Sequence, residues 1–406
     1  MSGAGIWTER FDNPASRRLR DPATTGYVAL GLGVFSAFLA IPPIEARSIV
    51  WSILVGLVAA FFGLWTAVRG RRRLGIGAIV LGLVGIGLGV LATRSSTGNL
   101  EAVFNSSLIA QMFASATPLV FGAIAGMFSE RSGVVNIGLE GMMLMGAFWG
   151  VYGADVGGSW VVGLLLGAAM GGVLALVLAY FAIHLRADQI VGGTAINFLA
   201  LGITGYFFFQ LYHGNYVPTG VSTIPNVKIP GLSSGSFLGD AIGDLNLMIW
   251  AGFVLVIVSY IVVFKTPIGL RIRACGEHPR AADTVGINVY AVRYGCVILS
   301  GILVALGGVY LSDGFGGGAF NDNMTAGRGF IALAAMIFGN WRPFGAFGAA
   351  LLFGLSSAIA LRLQVYSASA STLFNVLPYV LTLIAVGGVI GRTVPPAADG
   401  KPYQKQ

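Results

Sequence analysis

The sequence runs to 406 residues, 56% of them hydrophobic and 10% charged, with a formal net charge of +8 and 61 glycines. Roughly a quarter of a soluble domain's residues are charged, so this composition excludes a water-soluble fold and a soluble domain on a single anchor. Backbone amides find no water in a bilayer, which leaves helices or a closed barrel.

Runs such as GIGAIVLGLVGIGLGVLA (75–92) are apolar on every side and lack the alternation of a barrel strand. The expected class is therefore all-α, a polytopic integral membrane helical bundle. Residues 1–25 are polar and basic (Arg10, Arg17, Arg18, Arg20) and read as a cytosolic tail, since a signal peptide would carry its apolar core nearer the start. About 12 membrane segments are expected, near 26–41, 49–68, 74–93, 107–127, 136–154, 160–183, 190–211, 247–264, 294–312, 329–339, 344–361 and 372–391. The 11-residue run at 329–339 is too short for an ordinary span and reads as a broken or re-entrant helix. With both termini cytosolic, all Lys and Arg but five (Arg47, Arg94, Lys228, Arg328 and Arg362) fall on the cytosolic side. This positive-inside asymmetry accounts for the net charge and argues against nucleic acid.

Residues 26–95 form a three-span block, split by RGRRR (69–73), that suits packing or assembly. The polar linker RSSTGNLEAVFNSS (94–107) marks the best boundary. Beyond it the spans carry Gln111, Asn136, Glu140, Thr194, Asn197 and Gln210, and the working machinery is expected there. Glu140 is the one carboxylate inside a membrane-length apolar run, in SERSGVVNIGLEG (129–141). A charge held in a span costs roughly 2.5–3.5 kcal/mol. It needs a partner or a task, unless it lies at the cytosolic end of its helix and reaches water. Gly133, Gly138 and Gly141 would let this segment break. Asn136, Thr194 and Asn197 are uncharged donors and acceptors; they suit a path for a neutral polar solute or, equally, hydrogen bonds between helices. Thr194 and Asn197, three apart, share one helix face.

A Pro-, Gly- and Ser-rich stretch at 212–246 is expected outside, and a hydrophilic one at 265–293 inside. In the latter, Pro279 opens a short helix through Arg280, Ala281, Ala282, Asp283, Thr284 and Val285, and Gly286 stops it. Arg271, Arg273 and Arg293 flank this element, which suits docking on a cytosolic partner; the plain alternative is a solvated loop. Asp313, Asp322 and Arg328, with Asn321 and Asn323, are expected in a solvated outer loop. A loose likeness between 135–150 and 330–348 hints at an internal pseudo-repeat.

Three histidines in separate loops and two cysteines provide neither a catalytic triad nor a metal site. None of the four lysines stands in a phosphate-cradling glycine loop, so the chain is not expected to hydrolyse ATP by that route.

Four blocks in order, ATPLVFGAIAGMFSERSGVVNIGLEGMMLMGAF (116–148), IVGGTAINFLALGITGYFF (190–208), GLRIRACGEHPRAADTVGINVYAVR (269–293) and MTAGRGFIALAAMIFGNWRPFGAFGAALLFG (324–354), resemble the permease subunits of bacterial ABC importers. Within these they are similar to the simple-sugar and nucleoside branch, of guanosine/purine type. The likeness covers about 105–391, while the first hundred residues have no counterpart in the usual shorter members. The resemblance implies a multi-pass subunit of the bacterial plasma membrane importing a small polar solute, a nucleoside before a sugar. It implies a cytosolic ABC ATPase that binds ATP and Mg, a second permease subunit, an extracytoplasmic solute-binding lipoprotein, and no cofactor or metal in this chain. The coupling loop 265–293 would contact the ATPase through Arg271, Arg273, Gly276, Glu277, Pro279, Arg280, Ala281, Ala282, Asp283 and Gly286. Asn136, Glu140, Thr194 and Asn197 would line the solute path. Residues 392–406 would form a cytosolic tail. The rival is an ion-coupled transporter with Glu140 as its ion site.

Overall fold

The computed structural model describes residues 22–39, 49–94, 107–213, 221–229, 237–366 and 393–405. The expected segment at 372–391, the start of the chain to residue 21 and the linker at 95–106 lie outside them. Backbone contacts group the described residues into two compact units, 22–94 and 107–366 with 393–405.

In the first unit, α1 (Pro22–Leu39), α2 (Ile49–Val68) and α3 (Arg72–Arg94) pack against one another. A Cβ added to Gly63 would come 2.8 Å from the Gly75 carbonyl oxygen, and one on Gly56 2.7 Å from that of Gly82. The backbones of α2 and α3 therefore touch, the close approach that small residues permit in lipid.

The second unit holds α4 (Ser107–Arg131), α5 (Leu139–Gly157), α6 (Trp160–Ala179), α7 (Gln189–Tyr212), the short α8 (Phe237–Ile242), α9 (Leu247–Lys265), α10 (Pro267–Glu277), α11 (Pro279–Thr284), α12 (Val289–Val309), α13 (Arg328–Phe338) and α14 (Pro343–Tyr366). Helices α6 and α12 each run on into a wider π turn, at Tyr180–His184 and Tyr310–Phe315. Six helices among the described residues are long and apolar enough to cross a membrane, all of them in this unit. The chain is a polytopic helical membrane protein. Between α7 and α9 the described residues add one small departure from pure helix: β1 (Asn226–Lys228) pairs antiparallel with β2 (Asp244–Asn246).

Polar caps start several spans. Asp188 accepts from the amides of Ile190 and Val191 at 2.8 and 3.0 Å, Asn246 from Met248 and Asn288 from Ala291, each satisfying orphan amides of a first turn. Helix α12 runs through the core and packs on α4, α5 and α6. A Cβ on Gly301 would lie 2.5 Å from the Gly171 carbonyl oxygen, so α12 and α6 also meet backbone to backbone.

Two interruptions shape the core. The chain leaves helix between α4 and α5, where Gly133 adopts φ +93°, and the residues of this break are mostly buried. The second precedes α13, whose 11 residues span only about 16 Å at 1.5 Å per residue. Gly122, past the middle of α4, faces Ala332 near the middle of α13. Arg131, at the end of α4, donates to the carbonyl of Trp341 just after α13. Helix α13 thus lies alongside only the second half of α4.

This corrects the outer-loop expectation for Arg328, which opens a helix inside the bundle; its guanidinium donates to the carbonyls of Met324 and Thr325. Asp313 is not solvated either. It is 0% exposed in the π turn after α12, and neither carboxylate oxygen has a hydrogen-bond partner among the described residues. The turn continues the helix instead of ending it, which draws the side chain into the core. Asn321, Asp322 and Asn323 remain exposed.

Candidate functional site

Three of the four polar residues expected on a path converge around the first turn of α5. Glu140 is 8% exposed, and its two carboxylate oxygens accept from the amides of Gly327 at 2.8 Å and Gly329 at 2.5 Å. The carboxylate is largely buried within this chain. Its charge meets the positive end of α13, where unpaired amides and the helix dipole favour an anion. Contact is close enough that a Cβ on Gly329 would lie 2.5 Å from the Glu140 backbone. Asn197 performs a similar service for α5: its Oδ1 accepts from the Gly141 amide at 2.8 Å and its Nδ2 donates to the Ile137 carbonyl at 3.0 Å. Asn136, fully buried, donates to the Ser300 hydroxyl at 3.0 Å on α12. Its Oδ1 has no partner among the described residues. Thr194 stands apart on an exposed face of α7, with its hydroxyl bonded to the Ile190 carbonyl one turn back.

The second constellation is the helical knuckle of α10 and α11. Thr266 caps α10 by accepting from the Gly269 amide. Pro279 takes the first position of α11, where its missing N–H is not needed, and Gly286 turns the chain away at φ +84°. Ile272, Cys275, Gly276 and Ala282 point inward, whereas Arg271, Glu277, Arg280, Ala281 and Val285 are exposed. Arg273 lies over the Phe264 ring at 5.3 Å. Gly276 sits directly on the α4–α5 break: an added Cβ would overlap the Arg131 carbonyl oxygen and lie 2.9 Å from its carbon. Arg293, 1% exposed, ties the base of α12 to the same break by donating to the Ser132 carbonyl at 3.1 Å.

Residues 393–405 run across the knuckle as a strap. The Ala398 amide donates to the Gly276 carbonyl at 2.8 Å and the Ala397 amide to Glu277 Oε2 at 3.2 Å. Arg293 Nη1 donates to the Lys401 carbonyl at 3.1 Å. Val394 donates to Asn340 Oδ1. Tyr403, 5% exposed, packs with Cys275, Ala282 and Val289. The sequence reading assigned this segment no contact. Its one aromatic side chain is Tyr403.

The family described as branched-chain amino acid transport system / permease component matches residues 108–386. The chain belongs to this permease family. It is 44% identical over 310 residues to the guanosine ABC transporter permease protein NupQ of Bacillus subtilis (strain 168), covering 71% of this chain and 94% of the relative. Identity is 39% over 308 residues to the nucleoside ABC transporter permease protein NupC of Lactococcus lactis subsp. cremoris (strain MG1363), covering 73% and 96%. A putative glucose ABC transporter permease protein, TsgC13 of Haloferax volcanii, is 33% identical over 270 residues, covering 65% and 80%. No solved structure matches. The first 107 residues of the permease, which include its whole three-helix unit, precede the family match.

Within the permease strap, burial pushes the Asp399 carboxyl up to about 6 from an ordinary value near 3.8, opposed by Glu130, the Gly400 amide and Arg293. A raised folded-state value means that the docked strap favours the protonated acid. The contribution to docking is complete below about pH 4 and is lost as pH rises through about 6. At neutral pH the buried charge is expected to weaken docking by about 1–2 kcal/mol, allowing for partial exposure. Hydrogen exchange at the Ala398 amide should accelerate between pH 5 and 8 beyond its intrinsic base catalysis, and Asp399→Asn should remove that excess. An unchanged excess in the variant would assign the pH response to another group.

Proposed function

We propose that this permease is a membrane subunit of an ATP-driven ABC importer for nucleosides. The observation that carries the reading is the 44% identity to a guanosine permease across 94% of that protein's length. The structure is compatible with such a role: a helical bundle with buried, uncharged polar groups and a knuckle seated on the bundle's backbone. In this reading about 12 segments cross the bacterial plasma membrane with both termini cytosolic, and the first three serve packing or assembly. A cytosolic ABC ATPase binds ATP and Mg, a second, different permease subunit completes the path, and an extracytoplasmic lipoprotein delivers the solute.

The knuckle supports a mechanical route. Motion of an ATPase bound to the exposed side of α11 would pass through Gly276 to the α4–α5 break, and through Arg293 to α12. The break leads within a few residues to Asn136 and Glu140, so a shift of the knuckle reaches the mid-bundle polar groups by direct contact. ATP binding by the partner would then bias an outward- and an inward-facing arrangement. Asn136, Asn197 and Thr194 act as path residues, while Glu140 holds the start of α13 in place. A simple sugar is the second reading for the solute, favoured by the 33% identity to a putative glucose permease.

Uptake of radiolabelled guanosine, adenosine, uridine and glucose by vesicles containing the complete transporter tests this. Nucleoside uptake that requires ATP, persists with proton and sodium gradients collapsed and is not competed by glucose is the expected result. Uptake that follows an ion gradient without ATP would overturn it.

A further inference from the structure

Between α11 and the strap runs a groove of about 450 Å³ lined by Glu277, His278, Arg280, Lys401, Tyr403 and Gln404, among others. Both walls are built. One is the knuckle. The other is held by main-chain hydrogen bonds from Ala397 and Ala398 and by the buried Tyr403 ring. Helix α11 alone is a small platform: its six residues extend about 9 Å. A stable protein interface needs roughly 800 Å² and some 20 residues from each partner. A soluble domain resting on Arg280, Ala281 and Val285, the last 74% exposed, must therefore also cover what adjoins them, and the strap lies directly across the groove. Arg280 on one wall and Lys401 on the other give the rim two exposed cations against the single carboxylate of Glu277.

We propose that residues 397–404 form the second half of the ATPase-docking surface, and that the groove accepts an acidic-faced segment of the ATPase. This inference rests on the coupling reading of α11. It adds that the ATPase grips the permease across two chain segments more than a hundred residues apart in sequence. A partner segment in the groove would press on Tyr403 and Ala282 together, and so on the packing beneath the knuckle.

Single cysteines placed by Lys401→Cys, Gln404→Cys and Ala281→Cys in the complete transporter, each charged with a thiol-attached photocrosslinker, test it. The native Cys275 and Cys296 are 0% and 5% exposed and give little background. Adducts to the ATPase from position 281 and from 401 or 404 are the expected result. Adducts from 281 alone, or strap adducts to the second permease subunit, would overturn the proposal while leaving the coupling role of α11 intact. No ATPase adduct from any position would overturn both. A charge reversal, Lys401→Glu, should in addition lower ATP-driven uptake several-fold at unchanged membrane abundance; uptake equal to the parent would argue that the cation does not meet an acidic partner.

Discussion

Gly276→Ala is expected to cut uptake by at least about tenfold. The added carbon would overlap the Arg131 carbonyl oxygen, and main chain cannot swing aside as a side-chain tip can. Overpacking a core typically costs about 1–3 kcal/mol, and a clash with backbone stands at the upper end. Each 1.4 kcal/mol is tenfold in an equilibrium or rate. The knuckle must lift from the α4–α5 break, lose the Ala398-to-Gly276 hydrogen bond, or both. Ala281→Trp separates misfolding from lost coupling, because Ala281 is exposed and its enlargement disturbs nothing beneath. That variant should reach the membrane in normal amount with unchanged thermal stability, yet lose stimulation of the ATPase. Wild-type uptake by both proteins would remove the knuckle from the mechanism.

Glu140→Gln is expected to destabilise the permease by about 2–4 kcal/mol, because two charge-assisted bonds at the start of α13 are replaced by at most one neutral one. The amide group of glutamine presents an oxygen to one backbone N–H and its own N–H to the other, leaving a buried donor facing a donor. The measurement is thermal unfolding in detergent, with uptake recorded in parallel. A lowered transition with uptake falling in proportion to folded protein is the expected pattern. A variant of unaltered stability that has lost all uptake would instead make the carboxylate an ion-coupling group and revive the secondary-transport reading. Position and chemistry both favour the first outcome: the two carboxylate oxygens are already occupied by backbone amides, which leaves little of the site for a transported cation.

What could be read from the residues was local. Pro279 and Gly286 punctuate α11 at both ends, and the structure starts and stops the helix as these residues direct. The short run at 329–339 betrayed a half-length helix, now seen as Arg328–Phe338. The glycines of 129–141 foretold a break, and Gly133 takes the left-handed conformation there. What escaped depends on long-range pairing. Glu140 carries no mark in its own neighbourhood of amides 187 residues away. Thr194 and Asn197 share a helix face by spacing, yet one is exposed and the other bridges to α5, since the partner helix covers only part of that face. Asp313 looked solvated because the glycines following it suggest a turn, whereas the chain winds on as π helix through Gly314 to Phe315. The strap was invisible for the same reason: its short, proline-containing sequence has no periodicity, and its order comes from hydrogen bonds to distant residues and from the packing of Tyr403 on the knuckle.

Arg131 and Arg293 anchor opposite sides of the α4–α5 break, and both do so on neutral peptide oxygens. Guanidinium groups hold their proton throughout the biological range, and a carbonyl has no charge for dissolved ions to mask. The inner linkage should therefore behave like a mechanical fastening, indifferent to salt, even under conditions in which Debye screening strips away a motor held by surface charges. Brine that releases the engine would leave its mounting plate intact and ready to be fitted again.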